Sequence, residues 1–200
     1  MKNFKWGTTS FYPDQNIYVV LFISRNKDNK DIKDFKERRI SFLATGDGYN
    51  SLNIGDKFND FVAKGQPGEL SRCYCSVNTR DPAKIYKDFL HFLIDTPEFN
   101  LCYCEPKLAG IATKKENAKS KKWMFDFDSN KREEVEQFRR DLGEYINSAE
   151  VTIYQTPNGF AVVTEHGFDT REISEKWPDV NLKRDDLLCI DWKARNQNDI

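Results

Sequence analysis

Asp126 and Asp128 stand two residues apart in the run Trp123-Met124-Phe125-Asp126-Phe127-Asp128, a spacing that can do chemistry. Alternate residues of a strand share a face, so the two carboxylates lie together while Phe125 and Phe127 turn to the other side. A carboxylate among such neighbours is partly stripped of water, and it either takes up a proton or meets a cation. Two acids on one face can hold a hard divalent ion, Mg2+ or Mn2+, which binds phosphates and activates an attacking oxygen. The plainer alternative makes Asp128 a turn residue and pairs Asp126 with a nearby Lys or Arg. Asp191 joins the cluster if its own strand, residues 186 to 192, runs beside this one; Glu165 is a weaker candidate for the same face.

Other reactive residues are less suggestive. Cys73-Tyr-Cys75 and Cys102-Tyr-Cys104 each place two thiols on one face of a strand, which suits a metal, but structural zinc sites favour Cys-x-x-Cys spacing. Small buried residues alternating with Tyr or Ser describe the first pair equally well. His91 falls on an expected helix, and His166 has no Gly-x-Ser-x-Gly partner, which argues against nucleophilic hydrolase chemistry.

The elements that must position the aspartates follow from pattern. In the first half, residues 17 to 24 and 39 to 45 read as an antiparallel strand pair with a solvated loop between them. A short helix through Phe58 and Phe61 follows, then a strand from Leu70 to Val77. A helix opens at Asp81-Pro82, with Asp81 as N-cap, and stops at Thr96-Pro97. In the second half, residues 121 to 128 form a strand, 131 to 146 a helix, 150 to 155 and 160 to 165 a hairpin around Pro157-Asn158-Gly159. A short helix to Trp177 and a last strand at 186 to 192 complete β-α-β-β-α-β. The expected class is therefore α+β: an N-terminal α+β subdomain over 1–104, a Lys-rich connector over 105–120, and a ferredoxin/RRM-like core over 121–200.

Composition sets the bounds. The 200 residues carry 31 Lys plus Arg against 32 Asp plus Glu, with 38% hydrophobic and 14% aromatic residues. So many aromatics exclude disorder, and no apolar run is long enough to span a bilayer. The N-terminal residues lack the apolar stretch of an export signal, so the cytoplasm is expected. Five cysteines are then expected to be reduced. The neutral total conceals one shift: residues 105 to 122 hold six Lys and two Glu, a solvated linker or a positive approach to the acidic strand.

The string from Trp123 to Asp128, a helix, Gln155-Thr-Pro-Asn-Gly-Phe-Ala-Val-Val-Thr-Glu165 and then Leu187-Leu-Cys-Ile-Asp191 resembles the catalytic core of the archaeo-eukaryotic primase and primase-polymerase superfamily. It is most similar to small bacteriophage proteins with a primase-like core. The resemblance spans about residues 121 to 192, and it extends loosely to Arg72-Cys-Tyr-Cys-Ser-Val-Asn-Thr-Arg-Asp-Pro82. It implies metal-dependent nucleotidyl transfer with a nucleoside triphosphate. Asp126 and Asp128 match the first motif, and Asp191 matches the third, as catalytic metal ligands for Mg2+ or Mn2+. The second motif departs: Gly159 and Phe160 are followed by Ala161 where the family carries a phosphate-holding histidine, and His166 has the wrong parity to replace it.

Arg72, Asn78, Arg80 and Lys84 are candidates for phosphate contacts near a helix N-terminus, together with Lys121, Lys122, Asn158 and Gly159. Two functional expectations follow. One is a primase-like nucleotidyltransferase or nucleotide-processing protein acting on nucleic acid or a nucleoside triphosphate. The other is a non-catalytic module that holds nucleic acid, a nucleotide or a host protein, as a phage counter-defence or host-takeover factor would.

Overall fold

The β-branched run Ile17–Ser24 forms β1 and pairs in antiparallel register with β2, Arg38–Thr45, so that Val20 faces Phe42 and Phe22 faces Ile40. The structure is a computed structural model that describes residues 16–196. After β2 come α1 (Gly55–Ala63), β3 (Leu70–Ser76), α2 (Pro82–Asp95) and α3 (Cys104–Ala112). The second half supplies β4 (Trp123–Phe127), α4 (Arg132–Leu142), β5 (Val151–Thr156), β6 (Gly159–Thr164), α5 (Arg171–Lys176), β7 (Asn181–Lys183) and β8 (Leu187–Ala194). The class is mixed α+β, with two antiparallel four-stranded sheets of order β2-β1-β3-β8 and β5-β6-β4-β7.

The local signals explain most of these elements. Asp81 caps α2 as expected, its Oδ1 accepting the Ala83 and Lys84 N–H groups at 3.0 and 3.3 Å, with Pro82 next. In α4, Val135, Phe138 and Leu142 recur on one buried face against Phe125 and Phe127 of β4. Asn130, with Glu133 three residues later, has the spacing of a capping pair, but the helix does not use it. Lys131 is the N-cap without a side-chain bond, and Glu134 instead accepts from Ser129 Oγ at 2.9 Å. The lysine-rich stretch is partly ordered as α3, with Ala109, Ile111 and Ala112 buried against Val19 and Ile85.

The first sheet carries helices on both faces, α1 on the side of Val20 and Phe22 and α2 with α3 on the side of Val19 and Leu43, whereas the second is covered by α4 and α5 on the side of Phe125 and Phe127. Phe22, Phe42, Cys73 and Cys75 pack beneath Phe58 and Phe61 of α1, which makes that cysteine pair part of an apolar core. The other face of the second sheet, through Met124, Ala161 and Val163, meets Val77 and Leu188 at the β3–β8 end of the first sheet in a seam.

One expected neighbour is replaced. Residues 186–192 do not flank β4. β8 instead closes the free edge of β3, with Cys73 opposite Asp191 and Cys75 opposite Leu188, and the three-residue β7 takes the place beside β4. The reason is edge satisfaction: β3 has a long edge left unpaired by β1, and an eight-residue strand covers it better than a three-residue one.

Asn78 ties the sheets together. It is 1% exposed, its Nδ2 donates to Lys122 O at 3.1 Å and Asp185 Oδ1 at 3.1 Å, and its Oδ1 accepts from Lys122 N at 2.7 Å. Beside it, Arg80 forms a two-point ion pair with Asp185 at 2.9 and 3.0 Å. Both residues latch the halves together from the inside.

Candidate functional site

A cleft of about 470 Å3 opens where the seam ends. Strand alternation turns Asp126 to the same side as Met124, and the register sets it opposite Ala161 on β6 and Asn181 on β7. Asp126, Asp128 and Asp186, the last from the short β7–β8 turn, all line this cleft. The turn before β6 is pressed against the end of β4. A Cβ at Gly159 would lie 2.1 Å from Phe127 O, so only glycine permits the approach that brings Asn158 to the cleft beside Asp128.

Burial, then the charge of Asp128, holds the Asp126 carboxyl above its ordinary range; Lys183 pulls it down, and Asp186 adds a smaller upward push.

The opposite wall belongs to the first sheet. Leu21 and Ile23 of β1 and Arg72 and Tyr74 of β3 face the cleft, joined by Arg25 and Lys27 just after β1. Arg25 donates to both oxygens of Asp28 at 2.8 and 3.1 Å, and Arg72 Nη2 donates to Asp28 Oδ1 at 2.6 Å. Burial raises the Asp28 carboxyl, but these two guanidiniums outweigh it and the net shift is downward. Two cations thus share one anion. Arg72 is 5% exposed and its Nε, itself buried, has no hydrogen-bond partner. Cys189 also lines the cleft, yet burial pushes its thiol up to about 11, so it stays protonated at neutral pH and is no nucleophile.

The expected site residues divide. Asp126, Asp128, Arg72 and Asn158 meet in the cleft, with Gly159 supporting the turn. Asp191 does not. On β8 its carboxylate accepts from Trp192 N at 2.8 Å and lies 3.2 Å from Lys193 Nζ, outside the cleft. Asn78 and Arg80 are spent in the latch, and Lys84 Nζ donates to Glu116 O at 3.0 Å. The first-turn N–H groups of α2 at Ala83 and Lys84 bond Asp81, so they are not offered to a phosphate. Lys121 is exposed and does not line the cleft, while Lys122 pairs with Glu165 at 2.7 Å. His166 is exposed, bonded to Gly167 O and Glu150 at 3.0 Å each.

Sequence reasoning missed Arg25, Lys27, Lys183 and Asp186. The available signal for the first two was their position at the end of a central strand, where loops carry ligand groups. Lys183 ends a strand too short to show a period, and Asp186 follows it in the turn.

Among the described residues, no group of three or more His, Cys, Asp or Glu side chains is gathered tightly enough to hold a metal by itself. The oxygen donors present still fit Mg2+ or Mn2+, since Mg2+ is commonly held by one or two carboxylates plus waters and substrate phosphates. No protein-family model matches the chain, and neither does any curated protein or solved structure.

Proposed function

We propose that this protein is a primase-like, divalent-metal-dependent nucleotidyltransferase or nucleotide-processing protein acting on a nucleoside triphosphate or nucleic acid. The observation that carries the proposal is the opposition of charge across one cleft: Asp126, Asp128 and Asp186 on one side, Arg25, Lys27 and Arg72 on the other. A metal-bound polyphosphate needs both, carboxylates for the ion and guanidiniums for the phosphate oxygens that the ion leaves unneutralised. The strand order β5-β6-β4-β7, with β4 and β6 central, supports the ferredoxin/RRM-like reading of the second half, and the analogy to primases rests on that order and the Asp126-Phe127-Asp128 motif. Asp126 and Asp128 hold the ion, Arg72 and Arg25 orient the phosphates, and Asn158 offers an amide at the rim. When bound, the metal supplies charge neutralisation at the phosphates and activation of the attacking oxygen.

Isothermal titration with Mn2+ and a nucleoside triphosphate tests this. Binding is expected in the native protein and is expected to disappear in Asp126→Ala, Asp128→Ala; unchanged binding in that variant would sink the proposal.

A second reading, a non-catalytic binding module, is favoured by Ala161. This residue lies directly across from Asp126, is 1% exposed, and presents only a methyl group where the primase resemblance implies a histidine. In that case gel shift with nucleic acid persists in EDTA, and loss of all binding on chelation counts against it.

A further inference from the structure

A second cavity, about 370 Å3, lies at the opposite end of the intersheet seam, and we infer that it receives one unpaired base of a single-stranded nucleic acid. The inference rests on the reading above only in taking nucleic acid as the ligand. Its volume falls within the roughly 300–1,000 Å3 of small-ligand pockets. Three tyrosines line it: Tyr18 of β1, Tyr49 of the turn before α1, and Tyr154 of β5. Their rings form an edge-to-face chain with centroids 5.6 and 5.7 Å apart, and Tyr49 is locked by donating to Val77 O at 3.0 Å.

Asp47, Gly48, Asn50 and Lys122 complete the lining, with Lys122 already neutralised by Glu165. Asp47 and an ammonium already paired with Glu165 make a poor site for phosphate. They suit a neutral planar ring with N–H donors on its edge, which aromatic walls can stack and Asp47 and Asn50 can read. Burial also keeps the Tyr18 and Tyr154 hydroxyls protonated as donors. Tyr154 is opposite Ala161, which is opposite Asp126, so the two sites are two strand spacings, about 10 Å, apart on one sheet. Met124, Ala161, Val163 and Leu188 plug the seam between them, so this base is not that of a nucleotide held at the aspartates.

Fluorescence anisotropy with labelled single-stranded octamers of each base, in EDTA, tests the inference. Tyr154→Ala is expected to weaken binding roughly ten-fold, Tyr154→Phe to restore it to within about two-fold, and Asp47→Asn to reorder the preferred bases. Asp126→Ala, Asp128→Ala is expected to bind the octamers as the native protein does, so loss of Mn2+–triphosphate binding there leaves this site standing. The inference is overturned by no octamer binding, by native affinity in a folded Tyr154→Ala protein, or by displacement with choline and not with nucleosides, which would mark a cation site. If Tyr154→Ala fails to fold, an unaltered base preference in Asp47→Asn overturns it equally.

Discussion

At Asp126, folding and the proposed metal binding pull in opposite directions. A carboxyl whose pKa is raised by folding holds its proton more tightly in the folded chain, so ionising it costs stability as pH climbs from the unfolded value, about 3.9, through the folded one. Asp126→Asn removes that cost. Its melting temperature is expected above that of the native protein at neutral pH, the gap closing toward about pH 3, and a lower value at pH 7 would contradict the burial argument. The same substitution is expected to weaken Mn2+ binding by roughly ten-fold or more. On the other wall, Lys27 is exposed and can be changed without touching the Arg25–Asp28–Arg72 cluster. Lys27→Gln should leave the melting temperature unchanged and weaken triphosphate binding by a few-fold, with a shallower salt dependence; an unaltered salt slope would place Lys27 outside the ligand's field. Asp126 and Asp128 were legible from spacing alone. Arg25 was not, because a charged residue after a strand looks the same whether it meets water or a cleft.

Elements decide which of two adjacent aspartates is structural. Asp185 faces the buried Arg80, while Asp186 lines the cleft and uses its backbone carbonyl to accept from Val77 N at 3.0 Å. Asp185→Ala strands a buried guanidinium and is expected to cost about 3–5 kcal/mol in denaturant unfolding. Asp186→Ala is expected to stay within about 1 kcal/mol and to reduce metal affinity instead. Equal losses for both would show that the β7–β8 turn, and no particular carboxylate, is what matters. Gly159→Ala drives a methyl group into Phe127 O and is expected to cost about 3 kcal/mol while displacing Asn158 from the cleft. Most strands and helices could be read from their periods and caps, as Asp81-Pro82 and the Val135–Phe138–Leu142 stripe illustrate. Strand partners could not. Alternation says which face of β8 is apolar but not whose edge it joins, and this is why Asp191 was expected beside Asp126 and lies opposite Cys73.

Across the whole molecule, the cysteines report how the sheets are closed. Cys73, Cys75 and Cys189 are buried, and burial raises all three thiols, that of Cys73 to about 12, whereas Cys102 is exposed on the turn before α3. Alkylation of the native protein at neutral pH is expected to label Cys102 first and to spare these three until denaturant is added. Early labelling of Cys189 would mean that the β3–β8 pairing opens readily. That pairing has a further consequence for how the chain is made. The first sheet needs residues 187–194 to cover β3, so during synthesis one strand edge must wait while more than a hundred residues emerge from the ribosome. Until β8 arrives, the nascent chain exposes a backbone edge open to any other extended segment, and a folding helper that shields such edges would matter most in that interval.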